Sequence, residues 1–90
     1  MPQAIVDPGE LRRFAQSLKR FTAELHGGLA ALHGQLLSLG DTWRDQEHIK
    51  FTQQFEETMH VVEHFLEAGD EHVRFLLRKA ELVEDYLHQR

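Results

Sequence analysis

Seven histidines and fifteen carboxylates are the side chains of this 90-residue chain with an obvious capacity for chemistry. Glu57 and His60 have the Glu-x-x-His spacing with which facing helices hold carboxylate-bridged metal pairs, and His64 stands one helical turn beyond His60, as zinc ligands can. In a helical frame all three fall on the polar outer arc. A caged metal needs inward ligands from several helices, and the first half of the chain offers only Glu10 and Glu24 for that purpose. The reading is an exposed histidine pair, with no metal and no other cofactor expected. Nucleophilic chemistry fares no better: the serines are Ser17 and Ser38, no base and orienting acid accompany them, and no glycine-rich loop follows a strand. No catalytic residue is expected, and the chain reads as non-enzymatic.

The elements that carry these side chains are two long helices. Leu11, Phe14, Leu18, Phe21, Leu25, Leu32 and Leu39 recur in steps of three, four or seven, as do Phe55, Met59, Val62, Leu66, Val73, Leu76, Ala80, Val83 and Leu87. This is helix periodicity without any competing strand alternation. Asp7, Pro8 and Glu10 read as a helix start, with Val6 and Leu11 spaced as a hydrophobic staple. Gly40 suits a left-handed residue closing that helix, and Thr42 reads as the next cap with Asp45 as its reciprocal partner. The expectation is a single all-α hairpin domain over 1–90: helix 1 about 8–39, turn 40–42, helix 2 about 43–87. Gly27, Gly28, Gly34 and Gly69 interrupt the helices and read either as bends or as close approaches of another backbone.

Helix 2 is apolar over too wide an arc for one neighbour. Beside its main seam runs a second line of Phe51, Val61, Phe65, Ala68, Phe75, Leu82 and Tyr86, interrupted by His72 and Lys79. One seam of a and d positions serves one neighbouring helix, so a second seam needs another. Folding about residues 40–42 also sets Arg12 near residue 72, leaving about a dozen C-terminal residues overhanging at ~1.5 Å rise per residue. That overhang would expose Leu77, Leu82, Val83, Tyr86 and Leu87. The expected resolution is dimerisation into a four-helix bundle, with Phe51, Val61, Phe65, Phe75, Leu82 and Tyr86 at the interface. The alternative is a monomer whose Ala4, Ile5 and Val6 fold back over the exposed end.

Composition bounds the partners. No cysteine is present to supply a disulfide or thiolate metal site, and a 90-residue domain buries only roughly 60% of its unfolded surface. A formal charge of -5 disfavours nucleic-acid binding, which needs a basic face, and no nucleic-acid partner is expected. Neither a cleavable signal peptide nor a membrane-spanning run is visible. Arg12, Arg13, Lys19 and Arg20 form a basic edge that reads either as the counterpart of Glu63, Glu67, Asp70 and Glu71 across the hairpin or as a solvated face. Trp43 reads chiefly as a plug over the helix junction and also as an anchor at the hairpin tip.

With Trp43 in the central turn and Phe51 eight residues later on the second helix, the whole chain resembles the WXG family, the small helical hairpins associated with type VII secretion. The family's Trp-x-Gly motif is here Trp43-Arg44-Asp45, with aspartate in place of glycine. Its export signal, a tyrosine followed four residues later by an acid, is not matched, since Arg90 follows Tyr86 at that distance. The resemblance implies a hairpin fold and dimerisation with itself or a related hairpin protein. It also implies a secretion ATPase or effector as further partner, and a cytoplasmic protein that is secreted. It gives Tyr86 no export role. The rival reading is an intracellular helical adaptor or chaperone-like module that is not exported.

Overall fold

The computed structural model describes residues 6–89, which form two α-helices, α1 (Pro8–Leu39) and α2 (Gln46–His88), packed side by side in an antiparallel hairpin. The molecule is a rod of 69 × 18 × 14 Å with a radius of gyration of 20.3 Å. A compact chain of this length would have a radius near ~12 Å. The core is accordingly one side chain thick, a single strip between two helices.

Capping sets both helix starts. Asp7 accepts a hydrogen bond from the Gly9 amide at 2.8 Å, with Pro8 at the first helical position, where its missing N–H costs nothing. At α2 the cap is Asp45, whose carboxylate accepts from the His48 amide at 3.0 Å. This corrects the expectation of Thr42 as cap and Trp43 as the first helical residue: Trp43 and Arg44 are non-helical, and α2 starts at Gln46. An aspartate with extended backbone competes better for the amides of a first turn than a threonine three residues earlier, whose own N–H is taken by Leu39.

The end of α1 also differs from expectation. Gly40 is right-handed, at φ -60° and ψ -17°, and no glycine among the described residues has a positive φ. The last carbonyls of α1 are satisfied by a tightened turn, in which Gly40, Asp41 and Thr42 donate to Leu37, Ser38 and Leu39 and Trp43 donates to Leu39 at 2.7 Å. Glycine is useful there for space: a Cβ would lie 3.2 Å from the Leu37 carbonyl oxygen and 3.5 Å from the His48 ring.

Burial defines the seam. On α2 the covered positions are His48, Thr52, Phe55, Met59, Val62, Leu66, Gly69, Val73, Leu76, Ala80 and Val83, an unbroken alternation of four- and three-residue steps. On α1 they are Leu11, Ala15, Leu18, Thr22, Leu25, Leu29, His33 and Leu36, with one extra four-step at His33. Such a stutter locally unwinds the pair. Phe14, Phe21, Leu32 and Leu39, read from the sequence as seam residues, are exposed instead. The seam takes Ala15 and Thr22 because the helices approach too closely for a phenylalanine. Gly69 shows how closely: a Cβ there would meet Thr22 Cγ2 at 2.8 Å, while Thr22 is held by its hydroxyl donating to the Lys19 carbonyl at 3.0 Å. The glycines at 27, 28 and 34 have open space around the same imagined atom, and α1 runs through them without interruption.

The register also corrects the expected overhang. Arg12 pairs with Glu84, not with the level of residue 72, so α2 is accompanied almost to its end and Leu77 and Val83 are half-buried. The six-residue connection 40–45, twice the length expected, moves every α2 residue toward the turn relative to α1. Ala4 and Ile5, the proposed cover for an overhang, lie outside the described residues.

Two tests follow from this packing. Gly34→Ala should stabilise the protein by about 1 kcal/mol through helix propensity. Gly69→Ala should lose that gain to overpacking of about 1–3 kcal/mol and recover it in a Thr22→Ser background; equal effects at both glycines in thermal melts would refute the close contact.

Arg12 donates to Glu84 from Nη2 at 2.6 Å and from Nε at 3.2 Å. The hydrogen bond and charge of Arg12 hold the Glu84 carboxyl below its ordinary range against partial desolvation, and His88 assists. A carboxyl lowered in the folded state contributes stability above the unfolded value of about 4.3, and that contribution is lost as pH falls through the folded value. The melting-temperature advantage of wild type over Glu84→Gln should therefore be full at neutral pH and vanish in acid. An advantage that grew on acidification would contradict the pairing.

Candidate functional site

Lettering the seam a and d, with Leu66 and Val73 at a, gives the hairpin two unlike edges. In an antiparallel pair the two e flanks lie on one side and the two g flanks on the other. The e edge is polar except near the turn, where Leu37 and Ile49 are exposed: Arg12 meets Glu84, and His33 Nε2 lies 3.2 Å from Glu56 Oε2 where the stutter brings that ring to the flank. Shallow open grooves at the end far from the turn are lined by Arg12, Arg74 and Arg78 in one case and Arg12, Arg13 and Arg20 in the other. The expected ion pairs from Arg13, Lys19 and Arg20 to Glu63, Glu67, Asp70 and Glu71 are not formed; Arg13, Arg20, Glu67 and Glu71 occupy outward b and f positions. Arg20 bonds Ser17 on its own helix.

The g edge is apolar. Phe21 on α1 and Phe65 on α2 meet edge to face with ring centroids 6.4 Å apart, which fixes the pairing of the two g flanks. Phe14, Leu32 and Leu39 continue the flank on α1, and Phe51 and Tyr86 continue it on α2. On α2 the band widens to the c positions, Val61, Phe75 and Leu82, at four- and three-residue steps from the g residues. The matching c positions of α1 are Glu10, Ser17 and Glu24. So α2 alone presents a complete second seam. Its exposure is large: Val61 68%, Phe75 65%, Leu82 59% and Tyr86 66%. Leu82 and Tyr86 are bare because they point sideways, not because the helix overhangs.

The turn leads into this band. Trp43, half-buried, stands edge-on to His48 at 4.9 Å and tilted over Phe51 at 6.0 Å, and Phe51 stacks on Phe55 at 6.0 Å. Phe55 belongs to the seam and Phe51 to the exposed flank, so this aromatic row ties the turn to both. Arg44 Nε donates to the Asp41 carbonyl at 3.2 Å and braces the loop. Asp45, which stands where the Trp-x-Gly pattern has glycine, has φ -100° and ψ -178°, dihedrals open to any residue, and uses its side chain to cap α2. Beneath the turn, His48 Nε2 and Thr52 Oγ1 are buried without a hydrogen-bond partner.

Glu57, His60 and His64 are exposed, and each histidine is paired with the acid three residues on, His60 with Glu63 at 3.2 Å and His64 with Glu67 at 3.6 Å. Among the described residues no three histidine, aspartate or glutamate side chains converge on a metal-sized site, and no helix is long and apolar enough to cross a membrane. What the arrangement offers chemically is association through one apolar face. Sequence reasoning missed the part of that face contributed by α1. Ala15, Thr22 and Leu29 form a four-three repeat with Leu11, Leu18 and Leu25 that is as regular as the one through Phe14 and Phe21, so spacing alone did not choose between the two faces.

No curated protein and no solved structure gives a significant match to this chain. The family model described as WXG100, proteins of 100 residues with WXG, matches residues 3–86. The match covers both helices and the turn bearing Trp43, and with the hairpin in hand the conclusion is that this chain belongs to the WXG100 family.

Proposed function

We propose that this chain is a non-enzymatic partner protein of type VII secretion, whose apolar g edge is covered by a second hairpin, its own copy or a relative, in an antiparallel four-helix bundle. The observation that carries the reading is the concentration of large exposed apolar side chains on one flank of α2. Phe51, Val61, Phe65, Phe75, Leu82 and Tyr86 lie there, while the opposite edge of the hairpin carries two ion pairs and exposes only Leu37 and Ile49 near the turn. An exposed apolar band of this extent is the mark of an interface. Area supports it: the chain exposes 7198 Å². A compact monomer of its mass exposes about 5,400 Å², and the excess is more than the ~800 Å² that one partner contributes to a standard interface.

In this reading the paired bundle is what a secretion ATPase or effector recognises, with Trp43, Arg44, Asp45 and Phe51 forming the tip. A second reading, an intracellular adaptor that is not exported, is favoured by Arg90 standing where an acid would follow Tyr86. The two separate cleanly in cells. With an epitope label on the chain, apparatus-dependent appearance in the medium is the expected result, and strict retention in the cytosol assigns the adaptor role instead.

Light scattering tests the association itself. Wild-type protein, alone or with its hairpin relative, should show a species of two hairpins. Phe75→Glu should weaken association by at least about 2 kcal/mol, because it buries a charge at the interface, while helical circular dichroism is kept. Retained association in Phe75→Glu would remove this face from the interface.

A further inference from the structure

The second seam of α2 is not uniformly apolar, and its polar interruptions carry information about the occupant. From the N-terminus it reads Glu47, Phe51, Gln54, Thr58, Val61, Phe65, Ala68, His72, Phe75 and Lys79, each three or four residues from the last. A partner helix must place polar groups against Gln54 and His72, a carboxylate against Lys79, a cation against Glu47, and apolar groups elsewhere. We propose that the occupant is a second copy of this chain, with α2 laid antiparallel on α2 about a two-fold axis level with Glu63. The inference rests on the reading that another hairpin covers this face, and it names which hairpin and in what register.

In that register every layer is matched. Val61 lies against Phe65 on each side of the axis. Thr58 lies against Ala68, two small side chains that let the helices approach, and the Thr58 hydroxyl is already bonded to the Gln54 carbonyl at 3.2 Å. The next layer sets Gln54 against His72, amide against imidazole, so neither is left unpaired in an apolar surround. Phe51 then meets Phe75, and the outermost layer sets Glu47 against Lys79, an ion pair made twice by symmetry. Leu82 and Tyr86 run past the partner's α2 and reach its turn. The registers one layer to either side fail: one sets His72 against Val61 and Thr58 against Phe75, and the other sets Gln54 against Phe65. The polar residues that break the band are thus the complement of the same band read backwards.

Because the chain has no cysteine, the register can be read directly. Thr58→Cys and Ala68→Cys proteins, each purified alone and then mixed, are treated with a short bis-maleimide cross-linker. The mixture should give a covalent species of twice 10.5 kDa, and neither protein alone should, since like positions lie about 15 Å apart along the axis at ~1.5 Å per residue. Lys79→Glu should weaken self-association about tenfold, through two repulsive pairs, and the double variant Glu47→Lys with Lys79→Glu should restore it to within about threefold. A dimer in light scattering that cross-links equally in the unmixed samples, or not at all in the mixture, overturns the register. A chain that is monomeric alone but associates with a related hairpin protein overturns self-pairing and leaves the broader reading standing. One that is monomeric with either sinks both.

Discussion

The close approach of the two helices at Thr22 and Gly69 is the constraint from which the rest of this molecule follows. With a Cβ at Gly69 excluded by Thr22, and with Ala15 and Ala80 almost wholly covered, small side chains alternate with leucine and valine in the half of the seam far from the turn. A strip that narrow has no room for Phe14, Phe21, Phe65 or Phe75. The large aromatics are displaced to the flank, where they form a face of their own. Close packing inside the hairpin and apolar exposure outside it are two consequences of one spacing.

That spacing also sets what the surface offers. Among the described residues the core is one side chain thick, and the grooves beside it are shallow and open to water. A rod instead offers long edges. One edge carries the ion pairs Arg12–Glu84 and His33–Glu56, and the other carries most of the exposed large apolar side chains.

At the turn, the residue in the glycine place of the Trp-x-Gly pattern works through its side chain. Asp45 stands in the glycine place of Trp-x-Gly at dihedrals that need no glycine, and its carboxylate starts α2 by holding the His48 amide. His48 in turn lies under Trp43 and against Gly40. Trp43 therefore closes the end of the strip and passes contact through Phe51 to the exposed flank.

Periodicity and cap chemistry in the sequence were enough for two helices, a start at Pro8, a hairpin topology and a second apolar line on α2, because these depend on local preferences and on which residues share a helical face. The phenylalanines of α1 were misread as core because periodicity reports a face without reporting its depth. Only the contact between Thr22 and Gly69 sets that depth, and it selects Ala15 and Thr22 over Phe14 and Phe21. Register was likewise beyond the sequence, since it depends both on whether Thr42 or Asp45 caps α2 and on side-chain contacts along the seam, such as Thr22 against Gly69. Together these set Arg12 against Glu84 and not at the level of residue 72. Sequence determined what each helix is made of and which residues share its faces; the tertiary structure decided how near the helices stand and at what level they meet, because both depend on contacts between residues far apart in the chain.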